Sequence, residues 1–229
     1  VNRMGSDYGA EFGGTDLSSG HLICAINRCY NYSQSQQIVT ADALREMGVM
    51  PGEPMYALSV QYNYASSATR KMAVYMANTV KTAFANSSDW FNTGVLTNVF
   101  PETNFTFQAK EDGENYRWAT FNFEVPYVWD GTSNVVVAFT DNTGTAGSTN
   151  YSDNRFYQHT GNANNTLFWR GSELPTSSSY GYTSNYLSNI RFCEGCMHPV
   201  NITYETPSRH EIVFTWHPGH EETEWRVEY

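Results

Sequence analysis

Four cysteines could do chemistry through their thiols, and they come in two close pairs, Cys24 with Cys29 and Cys193 with Cys196. The spacings C-x4-C and C-x2-C admit disulfides, a four-thiolate zinc site, or free thiols. Disulfides are the preferred reading, with bridges between the first and last strands, because closing the longest loop restricts the unfolded chain most. Hard oxygen ligands form a second group. Asp141 and Asn142, Asp153 and Asn154, with Asp16 as a further contributor, offer carboxylates and amide oxygens suited to calcium. The alternative is that these residues are turn formers whose short side chains bond nearby backbone, and no EF-hand spacing is present. Aromatic side chains are the third group. A sugar ring lays its C–H face on Trp or Tyr while Asn, Asp, Arg or Gln bonds its hydroxyls. Trp169, Arg170, Tyr180, Tyr182 and Tyr186 gather in the late part of the chain, and Trp90 and Trp129 sit at turns. These seven are the candidate ligand-binding residues, whereas Trp118, Phe121 and Phe123, on an alternating run, read as core.

Catalytic constellations do not emerge. His210-Glu211 and His220-Glu221 are not H-E-x-x-H, no G-x-S-x-G elbow exists, and no spacing singles out a pair of carboxylates. The sequence therefore predicts a protein that is not an enzyme.

These residues need a scaffold, and its centre is PYVWDGTSNVVVAFTDNTG, Pro126 to Gly144. A tight turn at Asp130-Gly131-Thr132 leads into Asn134–Phe139, a continuous Val-rich run expected of a strand buried on both faces. Thr140 to Gly144 closes it with turn formers. Shorter strands are expected at His21–Asn27, Gln34–Val39, Met55–Tyr64, Arg70–Asn78, Val95–Phe100, Asn104–Gln108, Arg117–Glu124, Arg155–His159, Thr166–Arg170 and Tyr186–Phe192. Thr40 caps a short helix, Ala41–Met47, stopped by Gly48 and Pro51, and Thr79–Phe84 reads as one helical turn. Val1–Gly20 is a loose lead-in, and Leu174–Asn185 a Ser/Tyr loop. The fold class is all-β: a two-sheet jelly-roll sandwich with one short helix.

Composition bounds the partners. Thirteen basic against twenty-three acidic residues give −10, which disfavours nucleic acid and, in bulk, anionic polysaccharide, although a local basic patch would override that. Charged residues are only 16% while Tyr, Phe and Trp are plentiful, which points to a secreted sandwich, extracellular or on a bacterial surface. No apolar run reaches the roughly 18 residues that insert into a membrane. The opening VNRMGSDYG lacks a charged-then-apolar pattern, so a leader is expected to be absent or removed. Sequons at Asn31, Asn86, Asn104, Asn150, Asn164 and Asn201 are what chance yields in a chain rich in Asn, Ser and Thr.

The pattern changes after Cys196, dividing the chain into a main domain, 1–196, and a tail, 197–229. In the tail, Pro199–Tyr204, Glu211–Trp216 and Thr223–Tyr229 resemble the first three strands of a fibronectin type III domain. In the main domain, Tyr30–Gly48, Ala73–Trp90, Pro126–Gly144 and Leu187–Phe192 resemble a β-sandwich that recurs in large secreted or surface proteins of Bacteroidetes. It looks related to the jelly-roll adhesin domains of gingipain-type proteins. That resemblance implies adhesion or ligand capture beside neighbouring domains and carries no catalytic residues; the four cysteines depart from its pattern. Two functions follow: a module binding glycan or a host surface protein, or a rigid spacer positioning its neighbours. Exposed, near-coplanar aromatics beside Asn or Asp favour the first, and wholly buried aromatics the second.

Overall fold

The computed structural model describes residues 16–17, 25–147, 155–175, 179–194, 200–208 and 211–217. The early strands are β1 (Asp16–Leu17), β2 (Tyr32–Val39), β3 (Pro54–Tyr62), β4 (Ala68–Thr79) and β5 (Thr97–Phe107). They are followed by β6 (Arg117–Val128), β7 (Asn134–Asp141), β8 (Tyr157–Thr160), β9 (Thr166–Gly171) and β10 (Tyr182–Ser184). The last are β11 (Tyr186–Ser188), β12 (Ile190–Glu194), β13 (Val200–Ser208) and β14 (Glu211–His217). One helix, α1 (Ala41–Glu46), interrupts them, its first turn closed by the Thr40 hydroxyl accepting from the Ala43 amide at 3.2 Å.

The Val-rich run is β7, hydrogen-bonded to β2 on one side and β4 on the other. Alternation sends Val135, Val137 and Phe139 into the main core, while Val136 and Ala138 meet Leu96, Phe91 and Tyr75 on the opposite face. Both faces are therefore covered, and this is why the run is continuous rather than alternating. Strand order in the large sheet is β10-β9-β2-β7-β4-β5, and the opposing layer is β12-β3-β6 with β1-β8-β11 beside it. The Tyr62–Phe156 bridge joins those two smaller sheets. Between the layers, Tyr62, Tyr64, Phe107, Phe121 and Phe156 pack mostly edge to face, with centroids 5.1–6.3 Å apart. Each such contact adds about 0.5–1.5 kcal/mol beyond area burial. The chain is an all-β sandwich of antiparallel sheets with one short helix.

Several expected boundaries differ. The two strands expected at Val95–Phe100 and Asn104–Gln108 are one strand, β5, which runs through Pro101. An edge position lets a residue without an N–H stay in a strand, and the pairing with β4 shifts register there. Pro126 is kept within β6, another edge, in the same way. Thr79–Phe84 is not helical: the Phe84 amide donates to the Asn164 carbonyl and the Lys81 carbonyl accepts from Asn134, so its backbone groups are committed elsewhere. The strand expected at Tyr186–Phe192 breaks at Asn189 into β11 and β12, which pair with β8 and β3 in different sheets. Residues Ala25–Asn27 do not extend as strand, and the rest of the expected first strand lies outside the described residues. β13 and β14 pair only with each other among the described strands, and Thr223–Tyr229 lies outside them. Among the described residues no helix is long and apolar enough to cross a membrane.

Candidate functional site

Cross-strand register decides which late aromatics can meet. Ser33 of β2 lies opposite Arg170 on one side and Asp141 on the other, and Ser35 lies opposite Phe168 and Phe139. Directly paired residues share a face, so Arg170, Phe168 and Asp141 point to the inner side of the large sheet. Trp169, between Phe168 and Arg170, points to the outer side opposite Gln34. The group Trp169, Arg170, Tyr180, Tyr182 and Tyr186 is thus divided between surfaces, because a strand alternates.

What gathers on the inner side is a stack. Tyr182 pairs with Phe168 across β10 and β9, and their rings stack at 5.5 Å with planes 26° apart. The Arg170 guanidinium lies 5.8 Å from the Tyr182 ring centre and 5.1 Å from that of Tyr30. Phe168 is buried, yet Tyr182 above it is 59% exposed and its neighbour Tyr180 is 74% exposed. An aromatic face is thereby open to solvent but braced from below and from the side. Loop contacts fix it further. Trp90 donates its indole N–H to the Ser179 carbonyl at 3.2 Å, and the Gly181 amide donates to the Ser87 carbonyl at 2.7 Å. Gly181 has no room for a side chain: a Cβ would stand 2.6 Å from the Trp90 ring and 2.7 Å from the Phe168 carbonyl oxygen.

Tyr30 is placed from the other side by a buried ion pair. Arg70, on β4, puts Nε and Nη2 each 2.7 Å from the Asp141 carboxylate, and both side chains are almost fully buried. Its remaining donors reach the Tyr30 carbonyl at 2.7 Å and the Thr145 carbonyl at 2.6 Å. Arg70 therefore clamps the turn before β2 to the turn after β7. Burial pushes the Asp141 carboxyl above the usual carboxylate range, opposed by Arg70 and the Thr143 donors. Neither Tyr30 nor Arg70 stood out in the sequence. The available signal was an arginine on an otherwise apolar inward face of β4, which demands a carboxylate partner.

The remaining candidates have other surroundings. Trp129 is fully buried, with its indole N–H on the Ser133 carbonyl at 2.7 Å and Arg45 over its ring, so it supports a turn and offers no platform. Trp90 is half-buried with Phe84 and Leu167, and Tyr186 packs partly against the main core. Trp118 departs from the core reading: it lies on the opposite face of β6 from Phe121 and Phe123, under the Arg191 guanidinium at 3.8 Å.

For calcium, both Asp141 oxygens are engaged, one by Arg70 and one by Thr143, and Asn142 donates to Glu102 at 2.6 Å. Asp16 pairs through its backbone with Gln158, while Asp153 and Asn154 lie outside the described residues. Among the described residues no three His, Cys, Asp or Glu side chains gather as metal ligands.

The disulfide expectation needs correction at Cys29, which carries a free thiol. It lies in the turn leading into the large sheet, whereas Cys193 is buried on β12 of the opposite layer, paired with Ala57. Burial raises the Cys29 pKa, with the guanidiniums of Arg28, Arg70 and Arg170 pulling the other way. Cys24 and Cys196 lie outside the described residues. Comparison with protein-family models, with curated proteins and with solved structures returned no match.

Proposed function

We propose that this chain is a non-catalytic binding module of a larger extracellular or bacterial surface protein, and that its ligand is a glycan. The observation that carries the reading is Tyr182: 59% exposed, yet stacked on buried Phe168 and flanked by Arg170, which also lies over the Tyr30 ring. An ordinary exposed tyrosine is free to rotate, and fixing it on binding costs about 0.5–1.5 kcal/mol of side-chain entropy. A braced ring has already lost that freedom, which favours recognition of a flat apolar sugar face. Sandwiches host many unrelated roles, so it is the site and not the fold that supports this reading.

In this reading the sandwich is a jelly roll of the adhesin kind found in Bacteroidetes surface proteins, and β13 and β14 begin a fibronectin type III-like neighbour. A host surface protein is the other ligand class such a face would serve, and a spacer role is the remaining alternative. Glycan-array and affinity-gel retention test the proposal. Tyr182→Ala is expected to abolish retention, whereas Trp169→Ala, on the opposite face, should leave it. Folded protein that is retained on no glycan and no host surface protein would leave only the spacer.

A further inference from the structure

The chain holds two Asp-Gly steps, Asp112-Gly113 and Asp130-Gly131, and the structure surrounds them differently. An aspartate followed by glycine carries its own reaction partner: the glycine nitrogen lies close to the carboxyl carbon, and no Cβ hinders its approach. At Asp130 the carboxylate is occupied. One oxygen accepts from the Thr132 and Ser133 amides at 2.8 and 2.7 Å and from the Thr132 hydroxyl at 3.2 Å. The other accepts from the Ser133 hydroxyl at 2.6 Å. These donors favour the ionised carboxyl, so its acid form is scarce. The peptide is gripped as well. The Gly131 carbonyl accepts from Arg45 at 2.9 Å, and a Cβ at Gly131 would stand 2.6 Å from the Pro51 side chain.

Asp112 and Gly113 form the middle of a turn between β5 and β6, closed by the Glu114 amide on the Glu111 carbonyl at 3.0 Å. Both are exposed, and Gly113 takes φ +89 with nothing within 4 Å of the place a Cβ would occupy. The nearby donors are spent on Glu114, whose carboxylate accepts from the Glu111 amide at 2.8 Å and whose carbonyl accepts from the Lys110 ammonium at 3.3 Å. Among the described residues nothing donates to the Asp112 carboxylate, so it can turn toward the Gly113 nitrogen. Independently of the binding-module reading, we propose that Asp112-Gly113 is a site of spontaneous covalent modification, passing through a cyclic imide to isoaspartate, while the turn at Asp130 protects the other step. First the Gly113 nitrogen bonds to Cγ of the protonated Asp112 carboxyl, and the amide proton and the carboxyl OH depart together as water. Water then reopens the ring. Attack at the main-chain carbonyl leaves the chain running through Cβ, with a free α-carboxylate and an unchanged mass.

Peptide mapping of the folded chain, held in mildly acidic buffer at body temperature, reads both positions, with electron-transfer fragmentation separating isoaspartate from aspartate. Isoaspartate is expected to build up at 112 about tenfold faster than at 130 or more, each pKa unit being a factor of ten in the acid form. In urea, where both turns are gone, the two rates should converge. Asp112→Glu, whose longer side chain would have to close a larger ring, should remove the signal at 112 while keeping the charge. Ser133→Ala takes one donor from the Asp130 carboxylate and should raise the rate at 130 while leaving that at 112, with a melting curve to show that the variant is folded. Equal rates in the folded chain, or faster conversion at 130, would overturn the proposal. So would an absence of conversion at 112 over a time in which the urea-unfolded chain converts.

Discussion

Removing Asp141 should damage this protein more than any surface change, and the size of the effect follows from what it leaves behind. Arg70 and Asp141 have side chains 1% and 0% exposed, and Nε and Nη2 both lie 2.7 Å from the same carboxylate oxygen. Asp141→Ala strands a buried guanidinium and leaves it, among the described residues, the Tyr30 and Thr145 carbonyls for support. Breaking one side of such a pair costs about 3–5 kcal/mol. For a chain of this size that corresponds to a fall of roughly 6–20 °C in Tm. Arg70→Met is different in kind. It strands a carboxylate, which burial already favours in its neutral form. With its folded pKa above the unfolded one, the native state holds more protons, so stability falls as pH rises through that window. Relative to the parent chain, Arg70→Met should therefore recover on acidification, while Asp141→Ala should not. The double variant should cost less than the two singles together by about 0.5–3 kcal/mol. Urea unfolding followed by circular dichroism at several pH values measures all three. A loss below about 1 kcal/mol for Asp141→Ala, or the same pH dependence in both single variants, would refute the clamp.

Two further outcomes are expected. Gly181→Ala should destabilise by about 1–3 kcal/mol through overpacking against Trp90 and the Phe168 carbonyl; a melting curve and the Trp90 emission check it, and an unchanged Tm would show that the loop yields. The Asp130 carboxyl, held by Ser133 and Thr132 donors, should titrate at about 2, well below its ordinary 3.8. The stabilisation it gives is present above the ordinary value and fades as pH drops toward 2; carbon NMR of the carboxyl reads it, and a midpoint near 4 would show that the turn does not hold.

Fold class and the central strand were legible because they rest on period and composition, which are local. The run from Asn134 to Phe139 needs no partner's identity to be read as doubly buried, and Thr40 announces its helix through a side chain three residues from the amide it caps. Edges were less legible. Proline in β5 and β6 breaks a central strand but not an outer one, and only the pairing order reveals which is which. The break at Asn189 is non-local too: its amide donates to Tyr157 while its carbonyl accepts from Gln61, partners from two different sheets. For the site, nearness in sequence misled. Trp169 and Arg170 are neighbours that a strand sends to opposite faces, whereas Tyr30 and Arg170 are distant residues joined by the register of β2 with β9.

The stretch that looks most family-like is, physically, scaffold. At one end of Pro126–Gly144, Asp130 bonds the amides of Thr132 and Ser133, Gly131 takes φ +82, and Trp129 closes over the turn through Ser133. At the other end Asp141 bonds Thr143, Gly144 takes φ +81, and Arg70 fastens the turn to Tyr30. Between them runs the strand that both faces bury. Every distinctive residue in the block is thus explained by turn chemistry or burial, so a resemblance carried by it speaks to architecture and leaves ligand choice open. In the proposed binding role, ligand choice would fall to residues such as Tyr180 and Tyr182, on a short edge hairpin and its loop, which can vary without disturbing the block. The link between the two is Arg70: it anchors in the block through Asp141 and positions Tyr30 at the stack. A change in the scaffold pair should therefore reach the Tyr30–Tyr182 surface, whereas a change at Tyr182 should not reach the core.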